Sequence, residues 1–421
     1  MQEAAPLFTN DAIVLGILMG LLAAVFYTSS SKHPGWQKFY SIIPALLLCY
    51  FLPSVFSTLG IISGDESNLY FVASRYLLPT SLVLLTLSID LPAVLRLGPK
   101  AVIMFFTGTA GILFGGPLAI LITSWINPDI VGGSGPDAVW RGMTTVAGSW
   151  IGGGANQTAM KEVFEVGDDL FSAMIAVDVI VANIWMAVLL FCAGRAKQID
   201  HFTGADASAI DDVQRRVEEY QAQVRKIPTL AETMVLLAVG FGVTALGHFG
   251  AQLIVPMMER LGESVPFIQR ASLTSSFFWI VVIATTAGLI LSFTKARRLE
   301  GVGASRVGSV FLYVLIASIG MKMDITAVFE NPGFFLVGAI WMSIHAGLML
   351  VVAYVIKAPV FFMAVGSQAN VGGAASAPVV ASAFHPSLAP VGVLLAVFGY
   401  ALGTYAAWAC GLLMQAVAGG G

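Results

Sequence analysis

The chain has 421 residues, of which 57% are hydrophobic and only 11% charged, with a net charge of −3 and a mean hydropathy of +0.85. A soluble domain carries about a quarter charged residues, so this balance excludes a soluble enzyme or binding module and indicates a polytopic membrane protein. The apolar runs are about 20 residues long and do not alternate, which selects helices over a β-barrel. No basic patch points to nucleic acid.

In chain order, the start from Met1 to Asn10 holds no Lys or Arg and lacks the basic region of a signal peptide, so Ala12–Thr28 reads as a retained first helix. Nine further spans follow at Phe39–Phe56, Tyr70–Ile89, Ala101–Thr123, Leu170–Ala193, Thr229–His248, Ser272–Ser292, Val307–Lys322, Gly333–Ile356 and Leu388–Met414. The stretch Ala251 to Arg270, with Pro256, Glu259, Arg260, Glu263 and Pro266, reads as an interfacial segment. Cys49, Cys192 and Cys410 all sit in apolar runs and suggest neither disulfides nor a metal cluster.

Two further apolar segments, Met143–Val163 and Pro359–Phe384, carry glycine-rich motifs. The first is Gly148-Ser149-Trp150-Ile151-Gly152-Gly153-Gly154-Ala155-Asn156-Gln157, and the second is Gly366-Ser367-Gln368-Ala369-Asn370-Val371-Gly372-Gly373. Non-helical backbone survives at membrane depth only where protein buries it or where it lines a wet cavity. Each segment either crosses once as a broken helix or enters and leaves on one side as a hairpin. With hairpins and an outside N-terminus, the cytoplasmic loops collect most of the 21 lysines and arginines, more than two full crossings would allow, so the positive-inside rule favours hairpins.

Five spans plus one hairpin make an odd number of crossings per half, which sets the second half upside down relative to the first. Ala73-Ser74-Arg75 leading to Asp90 recurs as Ala304-Ser305-Arg306 leading to Asp324, and each half then has a span, a segment opening on Gly-Ser and a closing span. The expected fold is an all-α polytopic membrane protein of two inverted repeats, residues 1–193 and 229–421. Each repeat has five transmembrane helices and one glycine-rich re-entrant hairpin or broken helix. Residues 194–228 form a charged cytoplasmic linker in which Asp206 to Lys226 could be a polar helix.

A hairpin tip exposes half-helix ends, where free N–H groups attract anions and free carbonyls attract cations. Side-chain amides and hydroxyls add neutral ligands. The candidates are Ser149, Gly152, Gly153, Asn156, Gln157 and Thr158 in the first half, and Ser367, Gln368, Asn370, Gly372, Gly373 and Ser376 in the second. Close helix packing explains the glycines but not the Asn and Gln beside them. Asp178 lies deep in its span, where a carboxylate is costly; it could bind sodium or carry a proton, or be neutralised by a neighbour. Asn183 follows on a different face of the same helix. His345 is either a titrating group or a hydrogen-bonded packing residue. No Walker loop, zinc-protease or nucleophile-elbow motif occurs, so the chain reads as no enzyme.

These motifs, with the Ala-Asn pairs at 155–156 and 369–370, resemble the bacterial membrane family called domain of unknown function 819, also known as YjcL-like, over nearly the whole chain. More distantly the layout is similar to sodium/glutamate symporters and 2-hydroxycarboxylate transporters. That likeness implies inverted repeats with re-entrant hairpins, and sodium- or proton-coupled dimers in which a transport domain moves against a scaffold. Those families tip their hairpins with Gly-Gly-x-Gly; here alanine takes the last place in both Gly152-Gly153-Gly154-Ala155 and Gly372-Gly373-Ala374-Ala375, so carboxylate specificity is not carried over. The sequence therefore predicts an ion-coupled secondary transporter of a small polar or anionic solute, multi-pass in the inner cell membrane and homodimeric. Sodium, at a site near Asn156 and Asn370, is preferred over the proton; there is no other cofactor. A channel is the rival reading.

Overall fold

The computed structural model describes residues 6–40, 43, 45–64, 66–89, 94–95, 97–205, 210, 228–271, 273–322, 331–385 and 388–419. Among these residues all regular structure is helical, apart from an isolated bridge between Phe8 and Ile62. Among the described residues seven helices are long and apolar enough to cross a membrane: Asp11–Ser29 (α1), Leu69–Leu87 (α3), Pro99–Ile126 (α4), Asp168–Ala193 (α5), Leu230–Gly262 (α7), Gly333–Val355 (α10) and Val391–Val417 within Ala389–Val417 (α11). Ala45–Thr58 (α2), Ser276–Ser292 (α8) and Ala304–Gly320 (α9) are shorter, and Ala196–Thr203 (α6) is a short helix after α5. A helix overlaps every expected span, and seven of them are long and apolar enough to cross; the spans expected at Phe39–Phe56, Ser272–Ser292 and Val307–Lys322 hold the shorter helices α2, α8 and α9. The chain is a multi-pass membrane protein, helical throughout the described residues.

Local chemistry sets several helix ends. The Asn10 side chain accepts from the backbone N–H groups of Ala12 and Ile13 and starts α1. Thr229 and Glu232 form a capping box that starts α7. In α3 the turn Ala73–Leu77 widens to a π-helical turn just before Pro79. Proline has no N–H, so the Arg75 carbonyl four residues earlier lacks its helical partner. His248 Nε2, reaching across from α7, lies 2.9 Å from that carbonyl oxygen, which requires the ring proton to sit on Nε2.

Two expectations change. Ala251 to Arg270 is not a separate interfacial segment: α7 runs unbroken through Pro256 to Gly262, and only Pro266–Arg270 is a short helix of its own. At about 1.5 Å per residue, the 33 residues of α7 reach about 50 Å, well beyond the hydrocarbon thickness. The span expected from Phe39 starts at Ala45, preceded by a separate short helix, Pro34–Tyr40. Asp90, Asp324 and nearly all of the Asp206 to Lys226 linker lie outside the described residues.

The helices fall into two packed groups. In one, α1, α2, α3, α7, α8 and α9 pack on each other; in the other, α4, α5, α10 and α11 pack on each other and on the two glycine-rich segments, with sparser contact between the groups. Within the second group, glycines let α10 approach α4 closely: a Cβ at Gly115 would lie 2.7 Å from the Trp341 ring. The Asp200 carboxylate of α6 accepts the Val360 backbone N–H at 2.8 Å. It thereby caps the start of the second glycine-rich segment, where Pro359 offers no side-chain cap. Burial raises the Asp200 pKa and the Val360 N–H lowers it again, with burial the larger effect. Asp200→Ala should lower stability by about 1 kcal/mol in thermal unfolding, while Asp200→Asn, whose amide oxygen still accepts, should recover most of the loss.

Candidate functional site

Both glycine-rich segments fold back on themselves. The first, Val139–Val163, is helical except at Gly153, whose φ of 72° and ψ of −175° break it. Its two ends lie side by side: the Gly167 N–H donates to the Pro136 carbonyl at 3.0 Å, Arg141 Nη1 donates to the Phe164 carbonyl, and the Trp140 and Phe164 rings are 5.9 Å apart. Nearer the turn the arms touch backbone to backbone. A Cβ at Gly148 would lie 2.6 Å from the Asn156 carbonyl oxygen, which is why no side chain fits there.

The second segment, Val360–Val371 followed by Gly373–Phe384, turns at Gly372 and Gly373, the latter at φ 56°. The Phe361 and Phe384 rings at its ends are 5.3 Å apart. Across the arms Gln368 Nε2 donates to Ser376 Oγ at 2.7 Å. A helix arm of 12 residues reaches about 18 Å, short of the roughly 30 Å hydrocarbon core.

The open ends of the hairpins lie at opposite ends of α5. That helix begins next to Gly167, runs 26 residues or about 39 Å, and leads through α6 to the Asp200 contact with Val360. The tips meet between them: a Cβ on Gly373 would lie 3.7 Å from the Gly153 Cα. Gly154 of the first tip faces Leu312 and Ile316 of α9, in the other helix group.

Asn156 and Asn370 are held by the same arrangement. Asn156 Nδ2 donates to its own Gly152 carbonyl at 3.0 Å and to the Tyr400 carbonyl of α11 at 2.9 Å, while Thr404 Oγ1 donates to Asn156 Oδ1 at 2.6 Å. Asn370 Nδ2 donates to Gly366 and Phe105 carbonyls, both at 2.9 Å, while Thr109 Oγ1 donates to Asn370 Oδ1 at 2.8 Å. Both partners come from an aromatic-x-x-Gly-Thr run, Phe105 to Thr109 in α4 and Tyr400 to Thr404 in α11. The glycine in each leaves room for the amide, since a Cβ at Gly108 would lie 2.8 Å from Asn370 Nδ2 and one at Gly403 2.7 Å from Asn156 Nδ2. Both amides are fully buried and bonded at every donor, so each ties a hairpin to a neighbouring helix. Sequence reasoning missed this clasp, although its signal, the repeated five-residue run, was present.

Asp178 on α5 receives Trp150 Nε1–H at 2.6 Å from one arm of the first hairpin and Gln157 Nε2–H at 2.9 Å from the other. Ser149, on the same arm as Trp150, is buried. Gln157 Oε1 accepts the Tyr50 hydroxyl of α2 at 3.4 Å. On the second hairpin, Ser367 Oγ accepts Trp185 Nε1–H at 2.8 Å and lies 2.8 Å from His345 Nε2. His345 Nδ1 is 3.1 Å from the Gly108 carbonyl, so that nitrogen carries the proton and Nε2 accepts from Ser367. His345 is thus a hydrogen-bonded packing residue joining α4, α10 and the hairpin. Thr158 and Asn183 bond carbonyls of their own helices, Gly154 at 2.8 Å and Val179 at 2.6 Å.

Beside the open end of the first hairpin lies a cavity of about 800 Å³ lined by charged residues of both helix groups. Arg75 of α3 pairs with Glu162 of the hairpin at 3.2 Å, and Lys322 after α9 lies 4.0 Å from Asp168 of α5. The Tyr70 hydroxyl of α3 donates to Glu162 and accepts from Lys161 at 3.1 Å. Lys161, itself buried, pairs with Asp168 at 2.8 Å. The polar bridge between the two groups is therefore largely ionic here.

Fold and site together define a multi-pass helical membrane protein whose two glycine turns meet within one helix group. The chain belongs to the family described as Protein of unknown function (DUF819), whose sequence model matches residues 16–417. It is also similar to the uncharacterized membrane protein YjcL of Bacillus subtilis (strain 168), with 21% identity over 410 residues, covering 94% of this chain and 95% of that protein.

If the clasps hold the hairpins, Thr404→Val and Thr109→Val should each destabilise the protein by about 1–3 kcal/mol, because each leaves an asparagine oxygen buried without a partner. Gly108→Ala and Gly403→Ala should do worse, through collision with the amide. Thermal unfolding of the purified variants checks both statements.

Proposed function

We propose that this protein is a secondary transporter of a small polar or anionic solute, coupled to sodium in preference to protons and resident in the inner cell membrane. In this reading the two halves are inverted repeats and the fold-back segments are re-entrant hairpins, one entering from each face. The observation that carries it is the meeting of the Gly153 and Gly373 turns, from hairpins whose open ends lie at opposite ends of α5. Backbone of that kind at mid-membrane has a use where it contacts cargo, because half-helix ends supply oriented N–H and carbonyl groups.

The two helix groups supply the moving parts. The group of α4, α5, α10, α11 and both hairpins is the transport body, and the group of α1, α2, α3, α7, α8 and α9 is the scaffold. The first tip faces α9 of the scaffold, so cargo at the tips would be carried along that boundary. Displacement of one body against the other exposes the tips to alternate sides, and each cycle must break and remake the Arg75–Glu162 contact. Tip-to-tip packing supports a carrier over a channel, which needs a continuous wet path.

Reconstituted in liposomes, the protein should accumulate its solute from a screened panel against a gradient, with saturation and dependence on an imposed sodium gradient. Flux that neither saturates nor accumulates solute would replace this reading by the channel. In a background lacking Cys49, Cys192 and Cys410, cysteines at Arg75 and Glu162 joined by a short cleavable thiol reagent should stop uptake, and cleavage should restore it. Full uptake in the linked protein would remove the relative motion.

A further inference from the structure

Among the described residues, Thr123 Oγ1 and Gln368 Oε1 are the buried side-chain polar atoms with no hydrogen-bond partner. Thr123 lies near the end of α4, away from the glycine turns. Gln368 lies at the second tip: it is 1% exposed, and its Nε2 is committed to Ser376 across the turn. A Cβ on Gly372 would strike both Ser376 Oγ and Gln368 Nε2, so the turn closes directly over this pair.

The other polar candidates around the tips are engaged. Both asparagines are clasped, Asp178 holds Trp150 and Gln157, and Ser367 lies between Trp185 and His345. Gln157, the glutamine of the first motif, uses both ends of its amide, toward Asp178 and Tyr50. Gln368 alone among these amides keeps an open end. The half-helix Val360–Val371 also ends here, and a helix C-terminus carries partial negative charge on its last carbonyls.

We propose that Gln368 Oε1 ligates a monovalent cation of sodium size at the second tip, with the Ser376 hydroxyl and the terminal carbonyls of Val360–Val371 as the other oxygen donors. This rests on the reading of the tips as the ligand-binding core and assigns the coupling ion to one hairpin. Hard cations take oxygen ligands. The donors named are all neutral, which suits a single charge; a divalent ion would leave its excess charge uncompensated in the protein interior.

The test is thermal unfolding of the full-length protein in detergent, titrated with sodium at constant ionic strength made up with choline. Wild type should gain stability with sodium by linkage. Gln368→Met, close in size but without the amide oxygen, should need at least tenfold more sodium for the same gain. Gln368→Glu should hold sodium more tightly at high pH than at low pH, and it decides the matter if the Met variant does not fold. Three results overturn the assignment: a wild-type sodium response in Gln368→Met, a pH-independent wild-type response in Gln368→Glu, or equal stabilisation of wild type by sodium, potassium and choline. Solute uptake is scored separately. A protein that binds sodium through Gln368 but accumulates no solute would keep this site and remove the transporter reading. Intact sodium-driven uptake with wild-type sodium dependence in Gln368→Met would remove only the site.

Discussion

The structure depends on one constraint: a chain that stops being helical inside an apolar interior must still satisfy its backbone. Two glycines with positive φ, Gly153 and Gly373, meet this constraint at one place. Gly373 is buried against the first turn, Gly153 stays half-buried, and each set of hairpin arms is shielded by helices of the same group. A side chain at Gly153 or Gly373 would be strained in conformation whatever the space around it. The sharpness of the turns is thus set by covalent geometry, and the burial of the arms that lead into them by the packing of α4 and α11 around them.

Helix α5 works as a splint for both hairpins. Asp178 and Trp185 are seven residues apart, about two turns, and so lie on one face of that helix about 10.5 Å apart. Asp178 gathers both arms of the first hairpin, and Trp185 bonds Ser367 of the second. A buried carboxylate is costly unless its oxygens are hydrogen-bonded. Here each oxygen of Asp178 receives an N–H, and the indole and amide that supply them are fixed by the bond in turn. The described polar residues at the tips accordingly divide into those that hold the hairpins and Gln368, whose buried amide oxygen has no partner.

Much of this was legible in the sequence, for reasons that can be named. The ten expected spans are apolar runs, so composition placed a helix in each, but it did not show that those near Phe39, Ser272 and Val307 are too short by themselves to cross. The two glycine-rich segments stood out because glycine beside Asn and Gln is poor lipid-facing helix, and both do fold back. What composition could not show is which polar atoms are already occupied. Asn156 and Asn370 looked like free ligands, yet their partners, Thr404 and Thr109, lie more than 240 residues away in one case and more than 250 in the other. Such pairing is a tertiary fact, and only the repeated aromatic-x-x-Gly-Thr run hinted at it. Pro256 misled in the opposite direction: a proline read as a break is absorbed by a helix that continues to Gly262.

The hydroxyl bookkeeping at Thr404 shows how holding and motion can be separated. Its single proton goes to Asn156 Oδ1, so the contact with Thr285 of α8, at 3.2 Å, must be donated by Thr285. A slide between the helix groups would break the Thr285 bond and leave the clasp intact. The same slide would part Tyr50 from Gln157, freeing Gln157 Oε1, while the Asp178 bond keeps its amide oriented. The first hairpin would then present an open amide oxygen of the kind that Gln368 presents on the second. Under the proposed motion, the state of the scaffold contact therefore governs how many neutral oxygens the tips offer, with no rearrangement inside either hairpin.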